Sequence, residues 1–85
     1  MLFSLYQKVE NVNSRESLAE FVDSMKVDFI KNPENWENSD MESFLEAMSA
    51  WIKDMDGYYE NNGNALNELT WKTFADILIA SISYE

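Results

Sequence analysis

The chain has 85 residues and carries 16 acids against 6 bases, a net charge of −10, with no cysteine, no histidine and 46% hydrophobic residues. That length implies one domain, and the missing residue types exclude disulfides and Cys/His zinc sites. The acidity repels nucleic-acid backbones and anionic membranes, so neither is expected as a partner.

The charge is unevenly placed. Residues 34–60 hold eight acids against Lys53 alone, whereas residues 1–33 hold five acids against four bases. A basic protein surface is the natural complement. The longest wholly apolar run, Ile77 to Ala80, falls far short of the ~20 residues of a membrane span. Met1–Tyr6 lacks a basic leader and a small-residue cleavage site. A cytoplasmic protein is expected.

Leu2, Leu5, Tyr6 and Val9 keep helical spacing and predict a short helix over about 2–10. Asn11–Ser14 breaks it. Asn13 or Ser14 can cap the next helix, with Glu16 three residues beyond Asn13. This second helix, 14–31, carries the stripe Leu18, Phe21, Val22, Met25, Phe29 and Ile30, and Asn32-Pro33 stops it. The connection 32–38 holds one large apolar residue, Trp36, expected to plug a gap between helices and to contribute about 2–3 kcal/mol by burial.

Residues 36–59 have the clearest period in the chain. Met41, Phe44, Leu45, Met48, Trp51, Ile52 and Met55 form an unbroken apolar stripe that predicts a helix over 39–55. Ser39 with Glu42 reads as a capping box, and Gly57 as the left-handed residue that ends the helix. Its other face carries Glu42, Ser43, Glu46, Ser49 and Lys53. Tyr58–Asn64 reads as a loop.

Thr70 is the expected cap of the last helix, with Leu69 and Phe74 placed as a hydrophobic staple. A start at Glu68 after an Asn67 cap would pair Glu68 with Lys72, and the span is taken as 68–83. Trp71, Phe74, Ala75, Leu78 and Ile82 line one face, and Ile77 and Ile79 broaden it, as suits a helix between neighbours. The expected fold is all-α: a single domain over 1–85, built as a small bundle of three to four helices.

Several short elements recur in a fixed order: Trp36-x-Asn38, Met41-x-x-Phe44-Leu45-Glu46-Ala47, Ala50-Trp51-Ile52-x-Asp54, Tyr58-Tyr59, Trp71-x-x-Phe74-Ala75-x-Ile77-Leu78-x-Ala80 and Tyr84-Glu85. Together they resemble a family of short bacterial proteins known only as a domain of unknown function, over roughly residues 18–85. The resemblance implies a bacterial, cytoplasmic, mostly helical domain. It brings no activity, cofactor or catalytic residue to carry over.

Chemistry is sparsely supported. A serine nucleophile would need Lys or a carboxylate as its base, and no nucleophile-elbow motif is present. Asp54 with Asp56 or Glu60 could act as paired carboxylates only inside a cleft, which a chain this short rarely builds. Asp54-x-Asp56-x-Tyr58-x-Glu60 opens like a calcium loop. It then fails, with Gly57 at position four rather than six and Ala65 at position twelve. It reads instead as a helix end followed by a solvated turn. No enzyme, no cofactor and no metal site is expected.

The residues singled out are Glu42, Glu46, Asp54, Asp56, Tyr58, Tyr59 and Glu60. Glu42 and Glu46 are like charges one turn apart, and tyrosines are enriched at interfaces. They predict an acidic module docking a basic protein, an immunity-type inhibitor of a basic toxin being one form. The alternatives are a structural or self-associating subunit and a nucleic-acid mimic. A monomer or weak homo-oligomer is expected.

Overall fold

The computed structural model describes residues 2–61 and 69–84, with side chains described for 5–57 and 69–84. Four α-helices follow one another, α1 (Leu2–Val9), α2 (Arg15–Lys31), α3 (Met41–Asn61) and α4 (Trp71–Ala80), with a 3-10 turn at Pro33–Asn35 between α2 and α3. No strand occurs among the described residues, and the fold is a small all-α bundle.

α2, α3 and α4 each begin where a short polar side chain can take a free amide. Ser14 is chosen over Asn13 for α2, and its hydroxyl accepts from the Ser17 N–H at 3.1 Å. The reciprocal bond comes from Ser17, not Glu16: its Oγ accepts from the Ser14 N–H at 3.0 Å. Thr70 caps α4 in the same way, exchanging bonds with Thr73 at 3.1 and 3.2 Å. The helix therefore starts at Trp71 rather than 68. The suggested Glu68 pairing and Asn67 cap lie outside the described residues.

α3 departs from expectation at both ends. Asp40, not Ser39, is its cap, accepting from the Ser43 N–H at 2.8 Å and from the Ser43 hydroxyl at 2.9 Å. A carboxylate at the positive end of a helix outcompetes a neutral hydroxyl for that place. Gly57 does not end the helix, which continues to Asn61. Glycine in a helix interior costs only about 1 kcal/mol, and the residues after it are ordinary helix formers. The expected loop over 58–64 is thus helical backbone through Asn61, and the rest lies outside the described residues.

The core is built by α1, α2 and α4, which pack on one another, while α3 packs chiefly on α4. Leu5, Val9 and Val12 meet Phe21, Met25, Ala75, Ile79 and Ile82, with Trp36 closing one side. α4 is the helix that packs on each of the other three α-helices. The buried apolar line on α4 is Ala75 and Ile79, continued by Ile82 in the turn that follows, so Trp71 (42% exposed) and Phe74 (44%) lie outside it. On α2, Val22 and Ile30 are exposed, and on α3 so are Met41, Leu45 and Ile52, all placed in buried stripes by the spacing alone. The reason is coverage: one neighbouring helix hides only part of a wide stripe.

Trp36 sits as expected. It is buried, edge-on to Phe29 with ring centroids 5.2 Å apart and stacked on Phe44 at 6.1 Å. The indole N–H donates to Asp28 Oδ2 at 2.8 Å, a buried bond. Asn38 then stitches the α2–α3 connection to the end of α4. Its N–H donates to Ile82 O at 2.8 Å, and its side-chain amide to Ser81 O and Tyr84 O at 3.0 and 3.1 Å. These carbonyls follow the last turn of α4, where the helix leaves acceptors unsatisfied.

Candidate functional site

The body measures 35 × 27 × 18 Å.

α3 carries the singled-out residues. Glu42, Glu46, Asp54 and Asp56 are exposed, and Tyr58, Tyr59 and Glu60 lie on the last turn of the same helix, their side chains outside the described ones. At about 100° of rotation per residue, Glu42, Glu46 and Asp56 share one flank with Lys53, while Asp54 falls on the opposite flank. The chain thus separates Asp54 from its presumed companions. Glu42, Glu46 and Asp56 enter no ion pair among the described residues.

Asp54 has a structural tie instead. The Tyr84 hydroxyl donates to Asp54 Oδ2, and the Tyr84 ring stands edge-on to Trp51 at 5.3 Å. The bond to Asp54 raises the Tyr84 phenol above its ordinary 10.0. Asp54 and Asp56 stand two apart on a helix and so face apart, which removes the turn on which a calcium-loop reading depended. No cluster of three carboxylates able to hold a metal occurs among the described residues.

Two other acids are held below the ordinary 3.8. Asp40 is lowered by the Ser43 N–H and then the Ser43 hydroxyl. At Asp28, burial pushes upward but is outweighed by hydrogen bonds, the Trp36 indole among them. Sequence reasoning missed Asp28, although an acid lodged between Met25 and Phe29 was a signal of a buried partner. Lys72 joins Asp76 at 3.3 Å and Glu10 at 3.6 Å. Burial lowers its pKa, but the pairing with Asp76 and Glu10 outweighs that and holds it above 10.5.

Beside the acidic flank runs an apolar groove that sequence reasoning did not foresee. It encloses about 370 Å³ between α2 and the start of α3, with Val22 and Phe29 on one wall, Met41 and Phe44 on the other, and Trp36 and Leu78 among its lining. Met41 is 71% exposed. Leu45 and Ile52 extend the same exposed face along α3.

A family model matches residues 14–85, from the cap of α2 to the end of the chain. The chain belongs to a family of unknown function, DUF7660. No curated protein and no solved structure matches it. The DUF7660 region takes in α2, α3 and α4 and both surfaces just described; α1 precedes it. No helix among the described residues is long and apolar enough to cross a membrane.

Proposed function

We propose that this DUF7660 protein is a non-enzymatic interaction module of the bacterial cytoplasm whose α3 surface captures a basic protein. One observation carries the reading: Glu42, Glu46 and Asp56 stand exposed on one flank, in no ion pair among the described residues. With three acids against Lys53 alone, that flank keeps a negative potential that speeds the approach of a cation. An immunity-type inhibitor of a basic toxin is one protein of this kind. Nucleic-acid mimicry is weaker, because Asp40 and Asp54 are spent on a cap and on Tyr84.

A second reading, self-association, draws support from the exposed Met41, Leu45 and Ile52. The net charge of −10 on every copy opposes it.

The test is co-purification from source cells at low and high salt, with wild type and Glu42→Lys/Glu46→Lys run in parallel. The expected result is a basic protein retained by wild type at low salt, released by high salt, and lost with the double reversal at unchanged thermal stability. Retention indifferent to the reversal overturns the proposal.

A further inference from the structure

We propose that the groove between α2 and α3 is the docking site for an amphipathic helix with a basic flank, a segment whose apolar residues recur at i, i+3 or i+4, and i+7 and whose neighbouring positions are Lys or Arg. The inference rests on the basic-partner reading and deepens it by naming the surface and the form of the ligand.

The groove has the chemistry of a helix receptor. Val22, Phe29, Met41 and Phe44 form two apolar walls, and Trp36 helps to close the groove. Val22, Phe29 and Met41 are exposed, at 45%, 37% and 71%. Such exposure costs free energy in the unbound protein and is relieved when an apolar face covers it. Met41 and Met25 add side chains that adapt to more than one anchor shape. From Met41 to Ile52 the exposed apolar face of α3 runs for about 16 Å, three turns of a partner helix.

Charge decides the occupant. On α3 the acidic flank adjoins this apolar face: Glu42 follows Met41, Glu46 follows Leu45, and Asp56 lies a turn beyond Ile52. A ligand seated on the apolar face therefore meets carboxylates along its α3 edge, while on the α2 wall it meets one cation, Lys26, across from Asp40. A second copy of the chain would bring −10 against −10, whereas an amphipathic helix with Lys or Arg beside its apolar stripe satisfies both surfaces at once.

The probe is a synthetic amidated peptide of about 14 residues, four turns, with Leu at i, i+3, i+4 and i+7 and Lys on the adjoining positions. A scrambled peptide of the same composition and a Glu-for-Lys peptide serve as controls. Affinity is measured by calorimetry across salt concentrations, and the site is mapped by amide chemical shifts of the full chain. Met41→Ser/Leu45→Ser alters two exposed groove-side residues, and Glu42→Lys/Glu46→Lys alters the flank; thermal melts check that both fold.

The expected result is binding of the Lys peptide alone, shifts centred on Val22, Phe29, Met41 and Leu45, and at least ~10-fold weaker binding with the groove variant. The flank variant is expected to weaken binding and flatten its salt dependence. If the flank variant loses binding while the groove variant keeps it, the groove inference falls and the acidic-surface reading stands. Loss with the groove variant alone, without salt dependence, leaves the groove standing and removes the basic partner. Equal binding of the scrambled peptide, no binding, or a dimer abolished by Met41→Ser overturns the inference.

Discussion

Trp36 shows how one side chain joins two kinds of interaction. Its ring fills the space between Phe29 and Phe44, and its N–H reaches the buried Asp28 carboxylate. Trp36→Phe keeps most of the ring and removes the donor, and a hydrogen bond to a charged group is worth about 1.5–3 kcal/mol. The expected loss is roughly 10 °C in Tm, since each kcal/mol moves a domain this size by about 4–8 °C. A thermal melt within ~3 °C of wild type would take that bond out of the account. The two lowered carboxyls give a pH dependence of fixed sign. Asp28 and Asp40 are held below 3.8, so the stability they confer is complete above that value and lost as pH falls through their folded values. Asp40→Asn keeps a capping oxygen that cannot be protonated in this range. Melts followed from neutral pH to acid are expected to fall less steeply for that variant; superimposable curves would exclude Asp40 as a source. At the alkaline end the sign reverses. Tyr84 and Lys72 are raised above 10.0 and 10.5, so their contribution holds below those values and is lost as pH rises through the folded ones.

At the scale of elements, α3 separates local chemistry from context. Spacing and capping chemistry revealed that a helix exists over the forties and fifties, because a 3.6-residue period is a property of the chain itself. Its terminus was not legible, because Gly57 is as compatible with a helix interior as with a stop. The helix interior around Gly57 makes a sharp test: a Cβ there meets nothing within 4 Å. Gly57→Ala is expected to stabilise by about 0.5–1 kcal/mol, seen as a rise of several degrees in Tm. Were Gly57 a left-handed terminator, the same change would destabilise. Asn38 carries the opposite lesson. Nothing local marks it as the partner of Ser81 and Tyr84, which lie more than forty residues away.

The whole molecule is organised around α4 rather than α3. α4 contacts each other helix, and α1 contributes Leu5 and Val9 at 2% and 4% exposure to the shared core. α1 is therefore no appendage, although it precedes the DUF7660 region. Leu5→Ala is expected to cost about 2–5 kcal/mol, a large part of the stability of so small a domain. Urea denaturation measures it directly, and a midpoint unchanged from wild type would mean that α1 is not docked in solution. The same arrangement explains the candidate surface. α3 is covered chiefly by α4, so part of its stripe stays open beside α2 and produces a groove next to the acids.

Helix content, the cap at Thr70, a cap for α2 at Asn13 or Ser14, the stop at Pro33, the burial of Trp36 and the acidic character of α3 were all determined by the sequence, because each depends on groups near one another in the chain. Which third of each apolar stripe is hidden was decided only by the tertiary structure. So were the pairing of Asp28 with Trp36, the diversion of Asp54 to Tyr84, and the groove walled by Val22, Phe29, Met41 and Phe44. Each of these depends on which helix lies against which, and a period of 3.6 residues names a face without naming what will cover it.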